Sequence, residues 1–282
     1  MSNSDHQIGI VVPTLNSAAT LDWTLCSLSN QRDIAPDVIV VDSGSEDQTL
    51  DICQRWAVRT IYVPPGNMYR AINSGLQQTD TEWVTYLNSD DHVYPYSYGR
   101  LIAHGEQHHA ALVYGNCDFI DSEGRFLFAM KAPRPARLVG LLQRGDFGFA
   151  QPAAIYRKSV FQELGGFDER FRYISDYDFF SRLILSGRKV ANLEGPAVAA
   201  FRRHTSQLSN QCAPAMAAEW EPFRISGRLR TSPGNLFDLL SMYIGNSSNY
   251  LWRFTSKRAW PPRISRKSTA LDMRGARRTW HG

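Results

Sequence analysis

Val38-Ile39-Val40-Val41-Asp42-Ser43-Gly44-Ser45-Glu46-Asp47 sets four consecutive apolar, β-branched residues directly ahead of an acid and a cluster of small polar residues. A short apolar run closed by turn chemistry reads as a strand covered on both faces, which is the habit of a parallel sheet. Backwards along the chain, Ile8 to Pro13 has the same character, and a helix-like stretch from about Ala18 to Ser29 separates the two runs. Forwards, a helix-like stretch from Thr49 to Trp56 leads to Thr60 to Val63, and another from Met68 to Leu76 leads to Trp83 to Leu87. Strand and helix alternating in this way predict an α/β fold around a mainly parallel central sheet flanked by helices. Such sheets bind ligands beyond the carboxyl ends of their strands, and polar residues follow each strand here.

Further on, Tyr96 to His108 reads as a helix, and Ala111 to Phe128 as two strands around the turn Ser122-Glu123-Gly124. Helices are expected from Lys158 to Leu164, stopped by Gly165 and Gly166, and from Asp176 to Ser186, stopped by Gly187. Val190 to Leu193 and Ala197 to Phe201 are expected to return to the sheet. With 282 residues, one elaborated domain over 1–213 and a helical, basic and aromatic extension over 214–282 fit better than two equal domains. The formal charge of +4 conceals an asymmetry, because Pro214 to Gly282 holds 12 Lys and Arg against 4 Asp and Glu. No window approaches the roughly 20 apolar residues that cross a bilayer. The short polar Met1 to Gln7 runs straight into a strand, unlike a secretory signal, so a cytoplasmic chain is expected. Cys26, Cys53, Cys117 and Cys212 are scattered and read as free thiols in a reducing compartment.

Three constellations carry chemistry. Asn88-Ser89-Asp90-Asp91 follows the run Trp83 to Leu87, and acids at a strand end suit Mg²⁺ or Mn²⁺, which bind through one or two carboxylates while phosphate oxygens and water complete the shell. The plain alternative is a solvated turn. Asp42 to Asp47 is the second: small residues admit a ligand close to the backbone, Asp42 can accept hydrogen bonds from a base or ribose, and Ser45 or Asp47 would also cap the next helix. The third is Gly165-Gly166-Phe167-Asp168-Glu169 followed by Ser175-Asp176-Tyr177-Asp178. A carboxylate in a first helical turn is kept ionised by the amide dipoles, which suits Asp176 as a general base or simply as a capping acid, with Asp178 structural.

Taken together, Val12-Pro13-Thr14-Leu15-Asn16, Val41-Asp42-Ser43-Gly44-Ser45, Leu87-Asn88-Ser89-Asp90-Asp91, Gly165-Gly166-Phe167-Asp168-Glu169 and Ser175-Asp176-Tyr177-Asp178, in this order and spacing, resemble family-2 glycosyltransferases over about Ile8 to Ser209. The resemblance implies a GT-A fold, Rossmann-like, and an inverting transfer of sugar from a nucleotide diphosphate, UDP foremost, to a hydroxyl of a glycan or lipid-linked acceptor. It implies that Pro13, Thr14, Asn16, Asp42 and Ser43, with Asn88 and Ser89, line the nucleotide pocket. Asp90 would hold the metal with Asp91 beside it, and Asp176 would be the base. Arg202-Arg203-His204-Thr205-Ser206-Gln207-Leu208-Ser209 resembles the segment whose histidine completes the metal and diphosphate site, which nominates His204; an ordinary surface histidine is the alternative.

The chain also departs from that pattern. Asn88 replaces the usual first Asp of the metal motif, Ser175 a frequent Glu, and Ala150, before Gln151-Pro152, a frequent His. Arg70 stands where relatives commonly have Asp, and a cation there would meet a diphosphate. His104, His108 and His109 have helical spacing but read as a solvated face. In the extension, aromatics such as Trp220, Phe223, Phe237, Trp252 and Phe254 precede Lys257, Arg258, Arg263, Arg266 and Lys267. They would either contact a membrane surface on its inner, cytoplasmic face or pack on the core. No module for nucleic acid is visible. Two rival functions remain, a sugar-phosphate nucleotidyltransferase and a non-catalytic nucleotide- or carbohydrate-binding module. The first wants a Gly-rich, cationic loop after the first strand, and Asn16-Ser17-Ala18-Ala19 is not one.

Overall fold

The structure is a computed structural model that describes residues 8–204, 212–226, 229, 244 and 247. Residues 1–7, the 205–209 part of the motif ending at Ser209, and the tail aromatics and cations from Phe237 to Tyr243 and from Tyr250 to Lys267 lie outside the described residues.

The strands are β1 (Ile8–Thr14), β2 (Asp37–Asp42), β3 (Arg59–Tyr62), β4 (Trp83–Tyr86), β5 (His92–Val93), β6 (Leu112–Gly115), β7 (Cys117–Ile120), β8 (Phe126–Met130), β9 (Ala154–Arg157), β10 (Val190–Leu193) and β11 (Ala199–Arg202). The helices that matter here are α1 (Leu21–Ser29), α2 (Thr49–Trp56), α3 (Met68–Gln77), α4 (Ser97–His108), α5 (Leu138–Leu142), α6 (Lys158–Glu163) and α7 (Ser175–Leu185). Ala213–Glu219 and Glu221–Ile225 form two further helical turns. A seven-stranded sheet runs β10-β6-β9-β4-β1-β2-β3. Its pairings are parallel except where β9 lies antiparallel between β4 and β6.

Period-2 alternation explains why the first strands look apolar throughout. Ile8, Ile10 and Val12 of β1 and Val38 and Val40 of β2 enter one core with α1, α2 and α4. Val11, Ile39 and Val41 enter the other with α3, α5, α6 and α7. Both faces are therefore dry. Helix α3 lies unusually close to the sheet because Gly75 faces it: a Cβ there would stand 2.6 Å from Val11 Cγ2 and 2.9 Å from Val41 Cγ2.

Two expectations need correction. Ala111 to Phe128 contains three strands, because Leu112–Gly115 joins the large sheet while only β7 and β8 form the hairpin, closed by the turn at Gly124. Ala197 to Phe201 does not return to the large sheet either. Val198 N–H donates to the Asn116 carbonyl, which steers β11 alongside β7 in a second, four-stranded sheet ordered β5-β11-β7-β8. No helix among the described residues is long and apolar enough to cross a membrane.

Replacing Gly75 by Ala gains helix propensity but forces a methyl group into Val11. The net expected cost is about 1–3 kcal/mol, read as a lower urea midpoint at unchanged slope. An unchanged or raised midpoint would show that α3 can back away from β1.

Candidate active site

Strands β1, β2 and β4 are parallel, so their carboxyl ends release three loops at one edge of the sheet. Thr14 and Asp42 are register partners at the ends of β1 and β2. Thr14 Oγ1 donates to Asp42 Oδ1 (3.2 Å), while Asp42 also accepts Gly44 N–H (2.8 Å), Ser45 N–H (2.9 Å) and Ser45 Oγ (2.5 Å). Gly44 has φ +87°, which makes this tight turn cheap for glycine. Asp42 is thus buried and closes its own turn. Asn16, itself left-handed at φ +52°, accepts Glu46 N–H at Oδ1 (2.8 Å) and donates its own N–H to Ser45 Oγ (2.8 Å). Asp47, expected near a helix start, takes Ala18 N–H, Thr49 N–H and Thr49 Oγ1. Ser17 Oγ and Ser89 Oγ lie 2.8 Å apart, tying the first loop to the third. Pro13 is buried beside Val41, and Ser43 N–H donates to Thr14 carbonyl (2.9 Å). The expected pocket residues therefore gather on one rigid rim.

The two acids after β4 point in opposite senses. Asp90 Oδ2 meets His204 Nε2 at 2.7 Å, across 114 residues of sequence. Both side chains are about one-fifth exposed. Asp91, expected beside Asp90 on the metal, is instead turned into the protein and 1% exposed. Its Oδ1 accepts Arg202 N–H (2.8 Å), its carbonyl accepts Thr24 Oγ1 (2.8 Å), and Asn88 Nδ2 approaches Oδ2 at 3.4 Å. The reason is geometric: the chain turns here to enter β5, and one acid must face the core. Burial, and then the charge of Asp90, push the Asp91 carboxyl well above the usual carboxylate range. Arg202, also buried, donates Nε to the Asp90 carbonyl (2.8 Å) and Nη1 to the carbonyls of Asp121 and Ser122 (3.1 Å each). Burial lowers its pKa, while Asp90, Asp91 and Asp121 oppose that shift.

Among the described residues no group of three or more His, Cys, Asp or Glu forms a closed metal cage. The pair Asp90–His204 is nevertheless a fitting half-shell, one carboxylate and one imidazole, for a divalent cation that completes its ligands with phosphate and water. Asn88 and Ser89 are half-buried beside it, and Asn88 Oδ1 is buried with no hydrogen-bond partner.

Asp176 sits in the first turn of α7, half-buried, where Oδ1 accepts Tyr69 Oη (3.1 Å) and Tyr177 N–H (2.8 Å). Burial raises its pKa above the ordinary 3.8, partly offset by those hydrogen bonds. Tyr86, which ends β4, is pushed well upward, first by burial and then by the charge of Asp176. Asp178 is structural: it pairs with Arg182 (2.7 Å), which also donates to the carbonyls of Leu164 and Gly166.

Arg70 differs from expectation. Its guanidinium curls back onto the carbonyls of Pro64 (2.5 Å) and Pro65 (3.2 Å), holding the turn before α3 instead of reaching out for a diphosphate. His104 and His108 lie with ring centroids 4.4 Å apart and planes tilted by 56° on α4. Ala150 is buried, and next to it Gln151 donates Nε2 to the Tyr86 carbonyl (2.7 Å) while its Oε1 is buried without a partner. Sequence reasoning missed Tyr69, which touches Asp176, and Arg202, which holds the β4 loop. It also missed Glu219, which grips the loop before α7 at the amides of Arg172 (2.6 Å), Tyr173 (2.9 Å) and Ile174 (3.2 Å). Only Tyr69 carried a signal, its place in the first turn after an Asn cap, on the buried face of the helix.

Residues 9–165 match the family model described as glycosyl transferase family 2. The PGL/p-HBAD biosynthesis glycosyltransferase of Mycobacterium bovis (strain BCG / Pasteur 1173P2) is 30% identical over 200 residues, covering 68% of this chain and 75% of that protein. Among solved structures, S. aureus TarS 1-349 in complex with UDP-GlcNAc superposes with a TM-score of 0.59 at 22% identity, covering 73% of this chain and 61% of that one. The mannosyltransferase PcManGT from Pyrobaculum calidifontis, in complex with GDP-Man and Mn²⁺, superposes at 0.57 and 17% identity, covering 99% of this chain and 84% of that one. Both share the GT-A fold with this chain.

The opposed settings of Asp90 and Asp91 predict opposed costs. Asp91→Ala leaves the buried Arg202 N–H unanswered and should lower stability by about 1–3 kcal/mol, whereas Asp90→Ala, at the partly exposed pair, should change it by about 1 kcal/mol or less. Urea unfolding of both variants checks this; equal losses would contradict the inward setting of Asp91.

Proposed function

This chain belongs to glycosyl transferase family 2, and we propose that it moves a sugar from a nucleotide diphosphate, with UDP the first donor to try, onto a hydroxyl of a glycan or lipid-linked acceptor. The observation that carries this reading is the meeting of Asp90 and His204 at the carboxyl edge of the sheet, 114 residues apart in sequence. With it goes a single half-buried acid, Asp176, on the first turn of α7.

In the reading, Asp176 takes the proton from the acceptor hydroxyl as that oxygen forms its bond to the anomeric carbon, the bond from that carbon to the diphosphate breaks, and the configuration inverts. Tyr69 and the Tyr177 amide hold Asp176 Oδ1, which leaves Oδ2 for the acceptor. Asp90 and His204 would hold a divalent cation, Mg²⁺ or Mn²⁺, which when bound supplies positive charge against the leaving diphosphate. Pro13, Thr14, Asn16, Asp42 and Ser43 would form the wall against the base and ribose, with Asn88 and Ser89 towards the phosphates. Asp42 serves there with its oxygens already oriented by Thr14, Gly44 and Ser45, a preorganised acceptor that need not rearrange on binding. The excess of 12 Lys and Arg over 4 Asp and Glu in Pro214 to Gly282 supports a cytoplasmic enzyme working at an anionic membrane face, where lipid-linked acceptors are found.

The test is transfer from a panel of UDP-, GDP- and dTDP-sugars to hydroxyl acceptors, with Asp176→Asn alongside. A nucleotidyltransferase or a binding module would transfer from none of them. Asp176→Asn should lower kcat by about 10²–10⁴ while nucleotide affinity holds; near-normal turnover would remove Asp176 from the role of base. Because burial raises the Asp176 carboxyl above 3.8, the ionised base is lost as pH falls through that higher value. The acidic limb of the kcat profile should accordingly lie above 3.8, and a limb at or below it would contradict the assignment.

A further inference from the structure

The loop that leads into α7 is bracketed from two sides. Helix α3 holds one side: Asn67 Nδ2 donates to the carbonyls of Glu169 (2.7 Å) and Phe171 (3.2 Å), Asn73 exchanges hydrogen bonds with the backbone of Phe167, and Tyr69 Oη reaches the Tyr173 carbonyl (3.3 Å) as well as Asp176. On the other side stands Glu219. One of its oxygens accepts Arg172 N–H (2.6 Å), and the other accepts Tyr173 N–H (2.9 Å) and Ile174 N–H (3.2 Å). Three successive amides thus converge on one carboxylate immediately before the helix that carries Asp176. Ile174, the N-cap of α7, has no side chain able to cap, so Glu219 adds from outside the loop an acceptor that the N-cap residue does not supply. Aromatic packing seats the segment that carries it: Trp220 lies 4.5 Å from Tyr177 between ring centroids, and Phe223 lies 5.5 Å from Phe171 and 5.4 Å from Tyr177.

We propose that Glu219 is a positioning residue for the transfer reaction: by gripping the amides of Arg172, Tyr173 and Ile174 it fixes the loop and first turn of α7, and so the aim of Asp176. The segment from Ala213 to Phe223 is then a working part of the site and not a bystander to it. Loss of the carboxylate leaves the loop held from the α3 side alone, by Asn67, Asn73 and Tyr69, the last of which also holds Asp176. A shift of about 1 Å in a reacting group costs on the order of a hundredfold in rate. Donor binding, which lies at the carboxyl edge of β1, β2 and β4, is not touched. The inference rests on Asp176 being the base.

Glu219→Ala and Glu219→Gln, each assayed in the full chain beside Asp176→Asn, test it. The expected result for Glu219→Ala is a kcat about ten- to a hundredfold lower, with the UDP dissociation constant within about twofold of the parent. Amide exchange in the peptide spanning residues 170–176 should be faster, and Glu219→Gln, which keeps one acceptor oxygen, should fall between parent and Ala on both readings. Unchanged kcat in Glu219→Ala while Asp176→Asn is inactive would overturn the role of Glu219 alone. A loss of kcat matched by an equal loss of UDP binding would overturn it too, as general damage to the fold. Normal turnover in Asp176→Asn would overturn the assignment of the base and this inference with it.

Discussion

The Arg202 backbone N–H donating to a buried Asp91 carboxylate is the contact on which the geometry of the site depends. Strand β4 belongs to the large sheet and β11 to the small one, and no ladder joins the two. Together with the Arg202 Nε bond to the Asp90 carbonyl and the pairing of β5 with β11, this tie gives the loop that carries Asp90 and the strand end that delivers His204 one shared reference. The tie brings with it two ionisable groups taken out of water. Their cost is limited because Arg202 donates to the Asp90, Asp121 and Ser122 carbonyls, and Thr24 and Asn88 hold the Asp91 loop. One acid is buried so that its neighbour can face outward at a defined angle.

A second support holds the loop before α7. Helix α3, pressed on β1 through Gly75, carries Asn67, Tyr69 and Asn73 to the loop that precedes α7. Phe167, Phe179 and Phe180 pack behind that loop in the same core as Val11 and Val41. Donor-side residues thus stand on strand ends and the base candidate on a helix, each anchored in the same apolar layer. Rigid elements present loops that do the chemistry, and the chemistry inherits their precision.

The parallel half of the fold was legible because β1, β2 and β4 alternate between two dry cores, so their residues are apolar in unbroken runs. Strand β9 was not. Ala154–Arg157 is four residues long, enters antiparallel, and owes its place to β4 and β6 on either side, including a Thr85 Oγ1 hydrogen bond to the Ala154 carbonyl (2.8 Å). The sheet that β11 joins was equally hidden, since four residues such as Ala199–Arg202 suit either sheet and only the pairings with β7 and β5 decide. Residue types after β2 and β4 pointed to Asp42 and Asp90 as candidates, and a helix start pointed to Asp176. The direction of Asp91 could not be read, because adjacent acids in a turn differ only in which way the backbone bends. The direction of Arg70 was hidden for a related reason: sequence gives no sign that its Nη2 turns back onto the carbonyls of Pro64 and Pro65. Glu219 lay inside a segment whose basic average concealed one acid.

Calorimetric titration of UDP, with and without Mn²⁺, into the parent chain, Asp90→Asn and His204→Ala tests most directly whether Asp90 and His204 form one functional pair. Expected is a gain in affinity of tenfold or more from the metal in the parent, roughly 1.4 kcal/mol, that disappears in both variants. Equal affinity with and without metal in the parent, or a gain that survives in both variants, would contradict it.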